Sequence, residues 1–212
     1  ITVCVRPCDV PFAMNILKDS DVKVTTVIGF PHGSNLTETK VYETRLAIDQ
    51  GCEEIDVVLN IGMLLSGQYD YVMNDIKAEV EVAHKYDVLD KVILENAYLT
   101  DDLIKKACEI CTHAGADFTK TSTGYAPSGA TIYDLKIMRA NTPDNMQVKA
   151  AGGVRTLDDA LLVRAVGGTR FGCTSTKVML EEAKKIEEAG TLVLPEIDEN
   201  TEFQSVIYAK SK

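Results

Sequence analysis

Two lysines at the ends of strand-like runs are the residues best suited to chemistry: Lys120 in "FTKTSTG" and Lys149 in "VKAAGG", each just before a glycine-containing turn. A lysine within a strand loses hydration and needs compensation, although at a strand end it can also snorkel or form a salt bridge. Two of them in consecutive strands favour function. Neighbouring parallel strands lie about 4.8 Å apart, so the ammonium groups approach each other and depress each other's pKa. A neutral amine attacks a carbonyl, which makes a lysine with a second cation beside it a candidate Schiff-base nucleophile. Asp56, in the "EIDVV" run, could shuttle protons during carbinolamine formation or serve as a buried partner for one lysine.

Glycines supply a second half of a site. Gly124 follows "KTST", Gly152 and Gly153 follow "VKAA", and Gly172 precedes Cys173, Thr174 and Ser175. Such turns expose backbone N–H groups to a phosphate, and the Thr174 and Ser175 hydroxyls would open the next helix facing the same anion. His32, in the turn-rich "GFPHGS" loop, has no identifiable partner and reads as structural, while His84 and His113 read as surface or packing residues of helices. Cys108 and Cys111 form a CxxC inside a helical pattern with no second pair at zinc-ribbon spacing, so they read as filler. The acidic stretches 75–81 and 181–188 read as solvated helix faces.

The elements that must position these residues follow from periodicity. Seven β-rich runs, "ITVCV", "VKVTTVIGF", "EIDVVLN", "DKVILEN", "ADFTKTS", "MQVKAAG" and "TRFGCTS", each precede an amphipathic segment. Their spacing of about 25 to 35 residues is that of βαβ units, which build a parallel sheet. "TIYD" at 131–134 and "TLDD" at 156–159 predict capping boxes, Thr100 predicts a third N-cap, and Gly51, Gly115, Gly167 and Gly190 predict helix ends. In "IDVVLN", Ile55, Val57 and Leu59 share a wholly apolar face, whereas Asp56, Val58 and Asn60 share a mixed one. An open doubly wound sheet needs two apolar faces; a barrel can turn polar groups inward near its mouth. With no Rossmann fingerprint present, the sequence predicts a (β/α) barrel.

Composition sets the limits. The 212 residues are 45% hydrophobic and 25% charged, which fits one globular core and no disordered chain. Against 22 Lys and Arg stand 32 Asp and Glu, a net charge of -10, so nucleic acid is not an expected partner and an anionic substrate must be met locally. No apolar run spans a membrane and no signal peptide is evident, so a cytoplasmic location with six reduced cysteines is expected.

Taken together, "VCVRPCDV", "VIGFPHG", "EIDVVLNIG", "ADFTKTSTG", "VKAAGGVRT" and "RFGCTS" carry a resemblance to the deoxyribose-phosphate aldolase family, class I aldolases with a (β/α)₈ TIM-barrel fold. The resemblance runs from Ile1 to about Lys185. It implies reversible cleavage of 2-deoxy-D-ribose 5-phosphate to D-glyceraldehyde 3-phosphate and acetaldehyde. Lys120 matches the Schiff-base lysine, Lys149 the lysine that perturbs it, and Asp56 the proton-transfer carboxylate. Gly124, Gly152, Gly153, Val154, Arg155, Thr174 and Ser175 match the phosphate-binding turns, and Cys4 and Thr121 line the site. No cofactor and no metal is implied, because the iminium is itself the electron sink. A homo-oligomer, dimer or tetramer, is implied as well.

This chain departs from the family pattern in places. Tyr125 stands where some members carry Lys, and Thr174 with Ser175 replaces a serine pair. Residues 191–212 form a tail without a counterpart beyond a catalytic domain at 1–190; its Tyr208 could take the place of a C-terminal tyrosine used for proton transfer. The family begins with a strand and helix, including an Asp-His-Thr segment, before "VCVRP", and nothing here matches them. The first βα unit is therefore expected to be missing, leaving a seam beside the first strand or a substitute in it. Two other readings share the glycine turns: a phosphosugar isomerase or synthase barrel, and a phosphometabolite-binding barrel without catalysis.

Overall fold

The structure is a computed structural model and describes residues 1–203. Its seven strands are β1 (Thr2–Cys4), β2 (Lys23–Ile28), β3 (Glu54–Val58), β4 (Leu89–Ile93), β5 (Phe118–Lys120), β6 (Gln147–Ala151) and β7 (Arg170–Gly172). Each falls within one of the β-rich runs, except that β4 begins one residue before its run, at Leu89. Between and after them lie α1 (Val10–Leu17), α2 (Thr37–Asp49), α3 (Ile61–Leu65), α4 (Tyr69–His84), α5 (Asp101–Ala114), α6 (Ile132–Ala140), α7 (Leu157–Ala165) and α8 (Thr176–Glu188).

All strands are parallel and pair in chain order, β1 to β7. The sheet is strongly curled. Arg170 on β7 donates from Nη1 to both carboxylate oxygens of Glu54 on β3, at 2.9 and 2.8 Å. Four strand spacings would separate those residues by about 19 Å in a flat sheet, so the contact is possible only across a barrel interior. Yet β1 and β7 do not pair, and among the described residues no strand lies between them. The expected open seam is present.

Face alternation in β3 follows the sequence. Ile55 and Val57 pack with Val10, Ala13, Ala47 and Ala83 from α1, α2 and α4, outside the barrel, while Asp56 points inward. A larger apolar cluster includes Ile76, Ile104, Cys108, Leu135 and Val148. Cys108 and Cys111 are fully buried there, and burial pushes the Cys108 thiol up to about 12, in keeping with filler rather than reactive roles.

The caps form with one difference. The Thr100 hydroxyl accepts the Leu103 N–H, and Thr156 and Asp159 make the full reciprocal box at 3.1 and 3.2 Å. Thr131 accepts the Asp134 N–H at 3.0 Å, but no reciprocal bond from the cap N–H to the Asp134 carboxylate is formed. Gly115 ends α5 in the left-handed region at φ 84°, its N–H bonded to Cys111 and Thr112 carbonyls.

The reading of 75–81 as a solvated face is wrong for two residues. Asp75 and Glu79 on α4 are buried, facing the fully buried Lys40 of α2. Lys40 Nζ donates to Asp75 Oδ2 at 2.6 Å and to the Val58 carbonyl at 2.8 Å, with Glu79 Oε1 at 3.5 Å. Acidic residues one helical turn apart look alike in sequence whether they meet water or a cation from another helix. After α8, residues 189–203 hold no helix or strand, and Tyr208 lies outside the described residues.

Candidate active site

Asp56 sits at the centre of the barrel interior, fully buried, and three ammonium groups converge on it. Its Oδ1 lies 2.9 Å from Lys91 Nζ; its Oδ2 lies 2.5 Å from Lys120 Nζ and 2.8 Å from Lys149 Nζ. Strand register produces this convergence. Asp56 pairs with Lys91 across β3 and β4, and Lys120 pairs with Lys149 across β5 and β6, so inward-facing positions from four strands meet.

Electrostatics follow from that geometry. Burial alone would push the Asp56 carboxyl up, but Lys120, Lys91 and Lys149 together hold it far below the usual carboxylate range. Lys149 is brought down to about 8, chiefly by burial and with Lys120 and Lys91 adding to the shift, against the opposing pull of Asp56. A lysine that loses its proton this near neutrality can exchange protons during catalysis, and one carboxylate oxygen shared between two ammonium groups gives the proton a short path.

The sequence-named residues at the mouth take definite places. Thr121 joins β5 to β6, donating to the Ala151 carbonyl at 3.1 Å and accepting its N–H at 3.0 Å. Cys4 is exposed on edge strand β1, with its thiol within the influence of Asp56 and the three lysines. Gly124, Gly152 and Gly153 turn with φ of 91°, 76° and 98° after β5 and β6. Gly152 packs closely on Gly129: a Cβ on Gly152 would meet the Gly129 Cα at 3.0 Å, and a Cβ on Gly129 would meet the Gly152 carbonyl oxygen at 2.4 Å. Val154 is buried, which leaves its backbone as the part able to face an anion. Arg155 has an exposed side chain and donates its backbone N–H to Asp159 Oδ2 at 3.1 Å. Thr174 is exposed and Ser175 is the N-cap of α8.

Two residues named in the sequence lie apart from the cluster. His32 is exposed in its turn. His84, at the end of α4, pairs with Asp117 at 3.0 Å before β5, the opposite end of the strands from the glycine turns. Tyr125 is exposed and packs edge-on against Phe30, ring centroids 5.5 Å apart.

Sequence reasoning missed Lys91, Glu54, Arg170 and Glu95. Lys91, in "DKVILEN", is a third lysine inside a strand run and could have been found by the same argument as the other two. Glu54 and Arg170 open their strands, where a charge is equally at home in water. Glu95 is buried, holds a left-handed backbone at φ 57°, and accepts the Thr123 N–H at 3.3 Å together with the Thr123 hydroxyl. It braces the turn that carries Gly124.

A curled parallel (β/α) sheet with a lysine–aspartate cluster inside and glycine turns at the strands' C-terminal ends has the layout of a (β/α)-barrel enzyme. The chain belongs to the DeoC/LacD family of aldolases, whose model matches residues 3–190. A deoxyribose-phosphate aldolase of Thermoanaerobacter sp. (strain X514) is 49% identical over 187 residues, covering 88% of this chain and 84% of the relative. One from Mycoplasma capricolum subsp. capricolum is 49% identical over 185 residues, covering 87% and 82%. Among solved structures, an aldolase called QR15 superposes with a TM-score of 0.83 at 39% identity, covering 89% of this chain and 83% of that one. A deoxyribose phosphate aldolase from Aeropyrum pernix, described as a unique tetramer, superposes at 0.77 with 31% identity, covering 86% and 77%.

Proposed function

We propose that the protein is a class I aldolase that reversibly cleaves 2-deoxy-D-ribose 5-phosphate to D-glyceraldehyde 3-phosphate and acetaldehyde. The observation that carries this reading is the pair of ammonium groups, Lys120 and Lys149, on one oxygen of the buried Asp56. The neutral Lys120 amine attacks the C1 carbonyl of the open-chain sugar. Asp56 and Lys149 move the protons that convert the carbinolamine to an iminium with loss of water. Removal of the C3 hydroxyl proton then breaks the C2–C3 bond, its electrons entering the iminium to form an enamine, and D-glyceraldehyde 3-phosphate leaves. Protonation at C2 and hydrolysis release acetaldehyde and restore the amine.

The phosphate is held by Gly124, Gly152, Gly153, Val154, Arg155, Thr174 and Ser175, whose loops share one end of the barrel. Cys4 and Thr121 line the space between. Residues 1–190 form the catalytic barrel and 191–212 a tail, and the protein works as a homo-oligomer, dimer or tetramer, in the cytoplasm. No helix among the described residues is long and apolar enough to cross a membrane.

Incubation with substrate and borohydride tests the chemistry. The reduced adduct's mass is expected on the peptide that contains Lys120, and a protein that turns over substrate with no lysine labelled would contradict the imine route.

A further inference from the structure

The cluster around Asp56 does not end at the three lysines. Arg170 Nη1 contacts both oxygens of Glu54, and Glu54 Oε2 lies 2.8 Å from Lys91 Nζ, which in turn lies 2.9 Å from Asp56 Oδ1. Charges therefore alternate across the barrel interior: Arg170, Glu54, Lys91, Asp56, then the Lys120 and Lys149 pair. Glu54 and Lys91 are almost wholly buried, at 1% and 0% exposure. The Arg170 guanidinium lies over the Phe118 ring, 5.4 Å from its centroid, which fixes its direction.

Glu54 is two residues before Asp56 on the same face of β3, about 7 Å deeper in the barrel. Arg170 opens β7 and pairs in register with Lys149. Neither residue is at the mouth where substrate enters. We propose that Glu54 and Arg170 are positioning residues of the aldolase site: they hold the Lys91 ammonium on Asp56 and set the net charge that decides at what pH the imine-forming amine becomes neutral. The proposal rests on the imine chemistry argued above.

The charge count makes the roles opposite. Four cations, Lys91, Lys120, Lys149 and Arg170, face two carboxylates, Glu54 and Asp56. Among the described residues, the remaining titratable groups nearby are the Cys4 thiol from β1 and, at the mouth, Glu95, which is taken up by Thr123. Of β2, Thr25 and Val27 carry no charge, and Lys23 is exposed beside Glu53. Removing the Glu54 charge leaves more uncompensated positive charge beside the lysines and favours the neutral amine. Removing the Arg170 charge does the reverse.

The experiment is the pH profile of kcat/KM, read together with borohydride trapping. E54Q is expected to move the acid limb to lower pH by about half a unit to one unit, and R170Q to move it to higher pH by a similar amount. The E54Q/R170Q double variant is expected to return close to the parent limb, and R170K, which keeps the charge, to stay near it. Shifts in the same direction, no shift, or R170K moving as far as R170Q would overturn the proposal, and the last comparison holds even if E54Q fails to fold. Failure to trap Lys120 in the unaltered protein would overturn the imine reading instead, so the two failures are distinguishable.

Discussion

Asp56 is the residue around which the charge cluster is arranged, because its side chain is fully buried and each of its oxygens is committed to ammonium groups. Replacing Asp56 with Asn leaves the Lys120 and Lys149 ammonium groups without their anion and Lys91 with Glu54 alone, and breaking buried pairs of this kind costs about 3–5 kcal/mol. A urea titration of D56N is expected to show a loss of that order along with inactivity. Lys120→Ala is expected to lower kcat/KM by about a thousandfold or more and to abolish borohydride labelling, since covalent catalysis has no replacement nucleophile at that point. Lys149→Leu removes a neighbouring positive charge, which raises the pH at which the remaining amine becomes neutral. Its rate is expected to fall and its acid limb to move upward, measured as kcat/KM against pH. All three of these residues were nameable from sequence because a charged residue within an apolar strand run has few structural excuses. Lys91 satisfied the same criterion. Glu54 and Arg170 did not, since a charge at the first position of a strand is equally at home in water, and only barrel closure turns both toward one another.

At the scale of elements, α2 and α4 are joined by the buried Lys40, Asp75 and Val58 carbonyl contacts rather than by apolar packing alone. Burial keeps the Glu79 carboxyl well above its ordinary value, with Lys40 pulling it down and Asp75 pushing it up. Lys40→Met is expected to destabilise the fold by about 3–5 kcal/mol, as it strands the Asp75 charge; adding Asp75→Leu is expected to recover much of that loss. Chemical denaturation of the single and double variants checks both numbers. Strands and helices themselves were legible from period and caps. Partners of a buried charge on the outer layer were not, because the helical pattern of α4 is identical for a solvated and a buried acidic pair.

For the molecule as a whole, pH bears on stability through Asp90, which is buried at the start of β4 and exchanges backbone bonds with Asp117: Asp90 N–H to Asp117 Oδ2 at 2.9 Å and Asp117 N–H to Asp90 Oδ1 at 3.0 Å. Burial, with the Asp117 charge adding to it, raises the Asp90 carboxyl to about 7 against the opposing pull of the Asp117 N–H and His84. A carboxyl raised on folding is neutral in the folded state and charged in the unfolded one between about 4 and 7. Stability from this group is therefore full below about pH 4 and falls as pH rises through 7. Thermal melts of Asp90→Asn are expected to depend less on pH between 5 and 8 than those of the parent. The open seam gives a second whole-molecule expectation. Among the described residues, strand β1 is hydrogen-bonded to another strand on one side only, so its amides are expected to exchange with deuterium faster than those of β3 to β6, as read by mass spectrometry of peptides.

What the sequence determined by itself was the alternation of seven strands with helices, the inward face of β3, the two lysines with their aspartate, and the glycine turns. These depend on local period and on residue types whose chemistry is costly to bury without purpose. What tertiary structure alone decided was which charges share a space. Lys91, Glu54 and Arg170 lie up to 116 residues apart and meet only because the sheet curls back on itself. Lys40 meets Asp75 only because two helices pack on one strand layer. Coulomb interactions act over distances in space rather than along the chain, so the electrostatic circuit of the site becomes visible only once the barrel is formed.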